Sequence, residues 1–185
     1  MIIFDLAALA NDEHRRHFID PYENPAYEKV PENNELGWKE GFYCNLETTP
    51  HFGMPWKPDY QAYYDACDMD EPVKPVIEMM DSIYQNTINF WKEVHLWSER
   101  PESIREKTTK WMKENVLWDS LGCEISLKLR PIGDTRPQEQ LFEEWLDSVV
   151  RENGTVRFVF SAHKPTIEMF RRRGIFVFDC GQDKY

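Results

Sequence analysis

The sequence has no long apolar run, no closely spaced cysteine pair and no excess of positive charge. Each absence removes a class of protein. No stretch approaches the roughly 20 apolar residues that a membrane-spanning helix needs. The opening "MIIFDLAALANDEHRRHF" carries Asp5 inside its apolar part and its basic residues after it, the reverse of a secretory leader. Cys44, Cys67, Cys123 and Cys180 stand far apart and form no CxxC pair, which predicts neither a zinc site nor a disulfide scaffold and suits a reducing cytoplasm. With 22 Lys and Arg against 33 Asp and Glu the formal net charge is -11, so a long phosphate backbone would be repelled. A small anion in a local pocket is compatible with that charge. One further absence is local. In "FVFSAHKP" (158–165) a strand end, where α/β enzymes keep catalytic acids, holds Ser161, Ala162 and His163 instead.

The 185 residues suffice for one domain with its own core, or for such a domain with a sizeable insertion. "MIIFDLA" reads as a buried parallel strand. Residues 20–72 then lose periodicity and gather Pro21, Pro25, Pro31, Pro50, Pro55 and Pro58 among a dense set of aromatic residues. From Val73 onward Val76, Ile77, Met80, Ile83 and Tyr84 fall on one helical face. "NFWKEVHLW" (89–97) predicts a strand, followed by a helix with Pro101 in its first turn and Ile104, Thr108, Trp111 and Met112 on its buried side. "EISLKLR" (124–130) alternates as a strand, and 137–150 places Leu141, Phe142, Trp145, Leu146 and Val149 on one helical face. "VRFVF" (156–160), a helix over 165–173 and "IFVFD" (175–179) complete the series. Strands alternating with helices predict an α/β fold: a mostly parallel central sheet, helices on both faces, and ligands at the carboxyl ends of the strands.

Four motifs in order, "IIFDLAALAN", "LWSERPESIREKT", "LRPIGDTRPQEQLFEEW" and "FVFSAHKPTIEMFRRRGIFVFD", together resemble the haloacid dehalogenase (HAD) superfamily. Within it they look most like the 3′-phosphatase domain of bacteriophage polynucleotide kinases and related phage nucleotidases. The resemblance covers residues 1–19 and 75–181. It implies a Rossmann-like HAD core over 1–19 and 73–185, with 20–72 as an aromatic- and proline-rich, cap-like insertion. In that family one aspartate takes the phosphoryl group and another, two residues on, serves as general acid and base. A hydroxyl holds phosphate, a lysine neutralises charge, and aspartates after the fourth strand hold magnesium. Asp5 matches the nucleophile, Ser98 the hydroxyl and Arg100 an arginine of the phosphatase "SGR" stretch. The acid position is Ala7, Gln138 and Phe142 stand where an aspartate and the lysine are expected, and the fourth motif reads Ser161, Ala162, His163.

The resemblance therefore implies a phosphatase scaffold that has lost hydrolysis. Asp5 is then a vestigial nucleophile and no metal or other cofactor is expected. Ser98, Arg100, Lys128, Arg130, Arg136 and Lys164 are the expected phosphate ligands. In the insertion Trp38 and Trp56 are the residues expected to stack on a base, set against the plainer reading that these aromatics pack on one another or on a second copy as a homo-oligomer. The expected partner is a phosphorylated nucleotide or nucleotide signal in the cytoplasm. In the sharpest version it is a host defence messenger sequestered by a phage protein in the host cytoplasm. Two other readings stand beside this one. A divergent magnesium-dependent nucleotide or polynucleotide 3′-phosphatase would use Asp5, with His163 as acid or base and Asp134 or Asp179 near the metal. A protein–protein module would keep the scaffold alone. "HRRH" (14–17) reads as an exposed turn, "DACDMDE" (65–71) as an acidic turn and "RRR" (171–173) as a solvated helix-end cap.

Overall fold

The structure is a computed structural model, and it describes residues 1–12, 15, 60–87, 94–116 and 126–181. Two compact units emerge, Met1–Asn11 with Asp68–Tyr185, and Asp12–Cys67. Strand β1 (Ile2–Asp5) opens the first unit and is buried at all four positions, as a strand flanked by neighbours and covered on both faces must be. After a single 3-10 turn (Leu6–Ala8) come β2 (Ala10–Asn11) and, beyond the second unit, β3 (Glu71–Pro72). The described part of the second unit holds the short helix α1 (Tyr60–Asp65). The first unit continues with α2 (Lys74–Thr87), β4 (Val94–Pro101), α3 (Arg105–Asn115), β5 (Ser126–Arg130), α4 (Gln138–Arg151), β6 (Phe158–Ser161), α5 (Lys164–Arg172) and β7 (Phe176–Asp179).

The central sheet has the order β5-β4-β1-β6-β7, and every pairing in it is parallel. Because side chains alternate across a strand, its two faces feed two separate cores. Ile2, Phe4, Val94, Leu96 and Phe160 meet Ile77 and Met80 of α2 and Trp111 and Met112 of α3. Ile3, Trp97, Val159 and Val177 meet Leu141, Phe142, Trp145 and Leu146 of α4 and Ile167, Met169 and Phe170 of α5. This is the three-layer, Rossmann-like architecture read from the strand–helix alternation. Phe142 is fully buried edge-on to Trp97, so a bulky apolar group fills a core position there. Among the described residues no helix is long and apolar enough to cross a membrane.

Two boundaries and one exposure differ from the sequence reading, each for a physical reason. The second unit begins at Asp12 and ends at Cys67 rather than spanning 20–72, because β2 pairs antiparallel with β3 and Val73 N–H donates to Leu9 O at 2.8 Å, tying the two ends together. The second long strand runs to Pro101, which ends β4 instead of opening a helix, and a 3-10 turn (Glu102–Ile104) intervenes before α3. Arg15 of "HRRH" is buried rather than exposed: its guanidinium lies 4.1 Å from the centre of the Tyr63 ring and donates to Tyr63 O at 2.6 Å. The other three residues of that stretch lie outside the described set. At the end of α5 Arg171 and Arg172 are exposed, while Arg173 pairs with Glu143 and Asp147 of α4. Gly174, at φ +76°, then turns the chain into β7.

Candidate functional site

β1 has β4 on one side and β6 on the other, and the chain visits these sides at different times. The carboxyl ends of β1, β4 and β6 therefore flank a topological switch, where open α/β sheets bind ligands. Asp5 is the last residue of β1 and is 1% exposed. Its Oδ1 caps the following 3-10 turn by accepting from Ala7 N–H at 3.1 Å. Its Oδ2 accepts from Ser161 Oγ at the end of β6 (2.7 Å) and from Gln138 Nε2 in the first turn of α4 (2.8 Å). Ser161 Oγ also accepts from His163 N–H at 3.2 Å, which fixes the hydroxyl. Burial pushes the Asp5 carboxyl up from its ordinary 3.8 to about 6. The Ser161, Ala7 and Gln138 donors hold it down against that rise, and the charge of Glu99 adds to it. Both oxygens are thus engaged by neutral donors. Together these donors take three of the roughly four lone-pair sites of the carboxylate.

The second element of the site comes from an irregularity in β4. Its register against β5 shifts between Ser98 and Pro101, a bulge of the kind that re-aims side chains at functional edges. Ser98 Oγ accepts from Arg100 N–H at 3.1 Å. Arg100 is 5% exposed, and its Nη2 donates to the carboxylate of Asp70 in a buried ion pair. Trp111 lies 5.9 Å from the guanidinium and donates its Nε1–H to Asp70 O at 2.7 Å, so Asp70 is held by main chain and side chain alike. Arg100 Nη1 is buried and has no hydrogen-bond partner among the described residues.

Of the residues expected to bind phosphate, the fold gathers Ser98 and Arg100 at one strand end, and Lys164 follows β6 as the exposed first residue of α5. The others go elsewhere. Lys128 sits opposite Trp97 in the register of β5, on the α4 side, with its ammonium 4.9 Å from the Trp145 ring centre; burial lowers its pKa, with Glu144 and Glu152 opposing. Strand alternation explains this, because Lys128 points to the same face as the buried Trp97. Arg130 donates Nε–H to Glu99 O at 2.9 Å and Nη1–H to Asp134 O and Arg136 O, bracing the loop after β5. Arg136 is paired with Asp134 and Glu144, and its side chain and backbone N–H hold Asp134 down to about 2. His163 turns Nδ1 to Thr166 Oγ1 at 2.8 Å. Trp38 and Trp56 lie outside the described residues. Asp70 was not singled out by the sequence, where it is one acid in an acidic run. The signal that could have pointed to it is Arg100, since a buried guanidinium needs a counter-charge.

Magnesium, which the phosphatase resemblance implies, does not fit this arrangement. The ion takes oxygen lone pairs in an octahedron, whereas the groups in contact with Asp5 are an N–H, an amide NH₂ and a hydroxyl turned to donate. Among the described residues no three His, Cys, Asp or Glu side chains gather as a metal-ligand set.

The model of the polynucleotide kinase PNKP phosphatase domain matches residues 59–185. Among solved structures, a chain of the Pnkp1/Rnl/Hen1 RNA repair complex aligns with a TM-score of 0.54 and 20% identity over 66% of this chain and 37% of its own. A chain from another structure of the Pnkp1/Rnl/Hen1 complex gives 0.54 and 21% over 66% and 40%. At these identities the likeness is one of fold, and the chain spans well under half the length of these relatives. No curated protein matches the sequence.

Proposed function

This chain belongs to the family of the polynucleotide kinase PNKP phosphatase domain, and on that premise we propose that it is a non-hydrolysing member that holds a phosphorylated nucleotide. The observation that carries the proposal is the closure of Asp5. A nucleophilic carboxylate must present a lone pair to phosphorus, and here Ser161, Gln138 and Ala7 N–H take three of its roughly four lone-pair sites. Each is neutral, so none offsets the repulsion between Asp5 and a phosphate dianion. General acid–base assistance alone is worth ~100- to 10,000-fold, and Ala7 offers none.

Anion binding does not need those groups. The buried Nη1 of Arg100, with no partner among the described residues, is a donor in want of an acceptor, the Ser98 hydroxyl is bonded to the Arg100 main-chain N–H, and Lys164 adds charge after β6. A phosphate oxygen is the acceptor we assign to this place. A nucleotide is favoured over other phosphates because the family is that of a polynucleotide kinase phosphatase domain. Capture of a nucleotide signal, including a defence messenger in an infected cell, is the physiological form of this reading.

The test uses the full chain in chelator with a nucleoside 3′-monophosphate as probe. The thermal midpoint should rise and the recovered nucleotide should be intact. Arg100→Lys keeps a cation for Asp70 but removes the second guanidinium nitrogen. It should weaken binding ~10-fold or more, the effect of losing one charge-assisted contact of ~1.5–3 kcal/mol. Magnesium-dependent release of inorganic phosphate that disappears in Asp5→Asn would overturn the proposal in favour of a divergent phosphatase.

A further inference from the structure

The central sheet ends on β7, which has β6 on one side and, among the described residues, no strand on the other. Two rows of side chains cross the sheet toward that edge. In the first, Phe4, Phe160 and Phe178 are successive rungs, with ring centres 4.4 and 4.6 Å apart and planes 3° and 11° from parallel. In the second, Ile2, Phe158 and Phe176 stand in register. Phe4 and Phe160 are buried in the core shared with α2 and α3, but Phe178 is 41% and Phe176 65% exposed. Among the described residues the aromatic rows thus run out at an uncovered edge instead of ending under a helix. Natural edge strands are usually blunted by lysine, proline or a bulge, and Phe176, Val177 and Phe178 supply none of these.

We propose that β7 is the contact surface for a second copy of this chain, the two β7 strands pairing antiparallel about a two-fold axis at Val177 to join two five-stranded sheets into one. Directly opposed residues of an antiparallel pair lie on the same face. With Val177 on the axis, Phe176 meets the partner's Phe178 and Phe178 meets the partner's Phe176. Each row then continues into the other molecule at the ~4.8 Å spacing of neighbouring strands, close to the 4.4 and 4.6 Å at which the rings of the Phe4–Phe160–Phe178 row already stack. The edge is self-complementary, which a two-fold contact requires.

Charge agrees with this orientation. A chain of net charge -11 repels its copy overall, but β7 is entered from the exposed Arg171 and Arg172 at the end of α5 and closes on the exposed Asp179. Antiparallel pairing lays the acidic end of each strand beside the basic approach to the other. A parallel arrangement would set like ends together. The strand is four residues long, so the contact is small and the association is weak and concentration-dependent.

Sedimentation equilibrium of the full chain across the micromolar range should show a monomer–dimer equilibrium. Phe176→Lys, at a largely exposed position, should remain monomeric throughout, with unchanged circular dichroism and, at dilutions where the wild type is monomeric, an unchanged thermal midpoint, while Phe176→Tyr should keep the dimer. Outward-facing backbone amides of β7 should exchange more slowly as wild-type concentration rises and should show no such dependence in Phe176→Lys. A wild-type chain that stays monomeric at every concentration overturns the proposal and leaves the edge to a different occupant. So does a dimer that survives Phe176→Lys, or one whose cross-links map to residues 12–67.

Discussion

Asp5 and Arg100 are buried charges at the carboxyl ends of adjacent strands, and the fold accommodates them in opposite ways. Asp5 is surrounded by neutral donors, and its carboxyl is pushed up to about 6. Arg100 is given a full counter-charge, Asp70, which Trp111 anchors through its main-chain oxygen. Neutral dipoles satisfy hydrogen bonds without cancelling charge, so the first site remains costly whenever Asp5 is ionised. An ion pair cancels charge, but it makes each partner dependent on the other. Asp5 is thus held by neutral polar packing, while Arg100 on the neighbouring strand keeps a buried Nη1 with no partner among the described residues.

The largest test removes the counter-charge. Asp70→Ala would leave the Arg100 guanidinium buried and unpaired, and should cost ~3–5 kcal/mol in urea denaturation. Replacing both partners, Asp70→Leu with Arg100→Met, should recover most of that loss, because an apolar pair of similar volume carries no desolvation penalty. A loss below ~1 kcal/mol for Asp70→Ala would mean that Arg100 does not depend on it.

At Asp5 the expected sign is reversed. Its folded-state pKa of about 6 lies above the ordinary 3.8, so the folded chain holds this proton more tightly than the unfolded chain. The associated stability is fully present below pH ~4 and is lost as pH rises through ~6. Asp5→Asn should therefore stabilise the protein by ~2–3 kcal/mol at pH 8, with the gain fading toward pH 4. A destabilised variant at pH 8 would show that the three donors outweigh burial. Ser161→Ala removes one of those donors and should cost ~1.5 kcal/mol at pH 8. The cost should be smaller at pH 5, where Asp5 is largely protonated.

The sequence carried the sheet and its covering helices well, because their signals are periodic. Leu141, Phe142, Trp145 and Leu146 declare a helix face, and "FVF" before Ser161 declares a buried strand. The placement of Asp5 at the end of β1 and of Ser98 and Arg100 in the last half of β4 was legible from the strand pattern. Gln138 and Ser161 were legible as substitutions, but not as donors to one oxygen, since the bonds they make to Asp5 span 133 and 156 residues. Lys128, Arg130 and Arg136 carry the charge that phosphate binding needs, and composition alone cannot tell a ligand from a brace. Only the direction of a side chain and the carbonyls or carboxylates it meets make that distinction.

Arg136 gives the smallest effect and the sharpest contrast with Arg100. Both are arginines paired with an aspartate near the strand ends, but Arg136 and its second partner Glu144 are exposed, and only Asp134 is half-buried. Asp134 is held down to about 2, mainly by the Arg136 side chain. Its pairing is therefore present above pH ~4 and is lost as pH falls toward 2. Screened, exposed pairs contribute little, so Arg136→Ala should leave the urea midpoint within experimental scatter at ordinary salt. Any difference should appear only at low ionic strength. If Arg136→Ala instead weakened binding of the nucleoside 3′-monophosphate as strongly as Arg100→Lys, the anion would lie over the loop after β5, and the buried Nη1 of Arg100 would not be its principal contact.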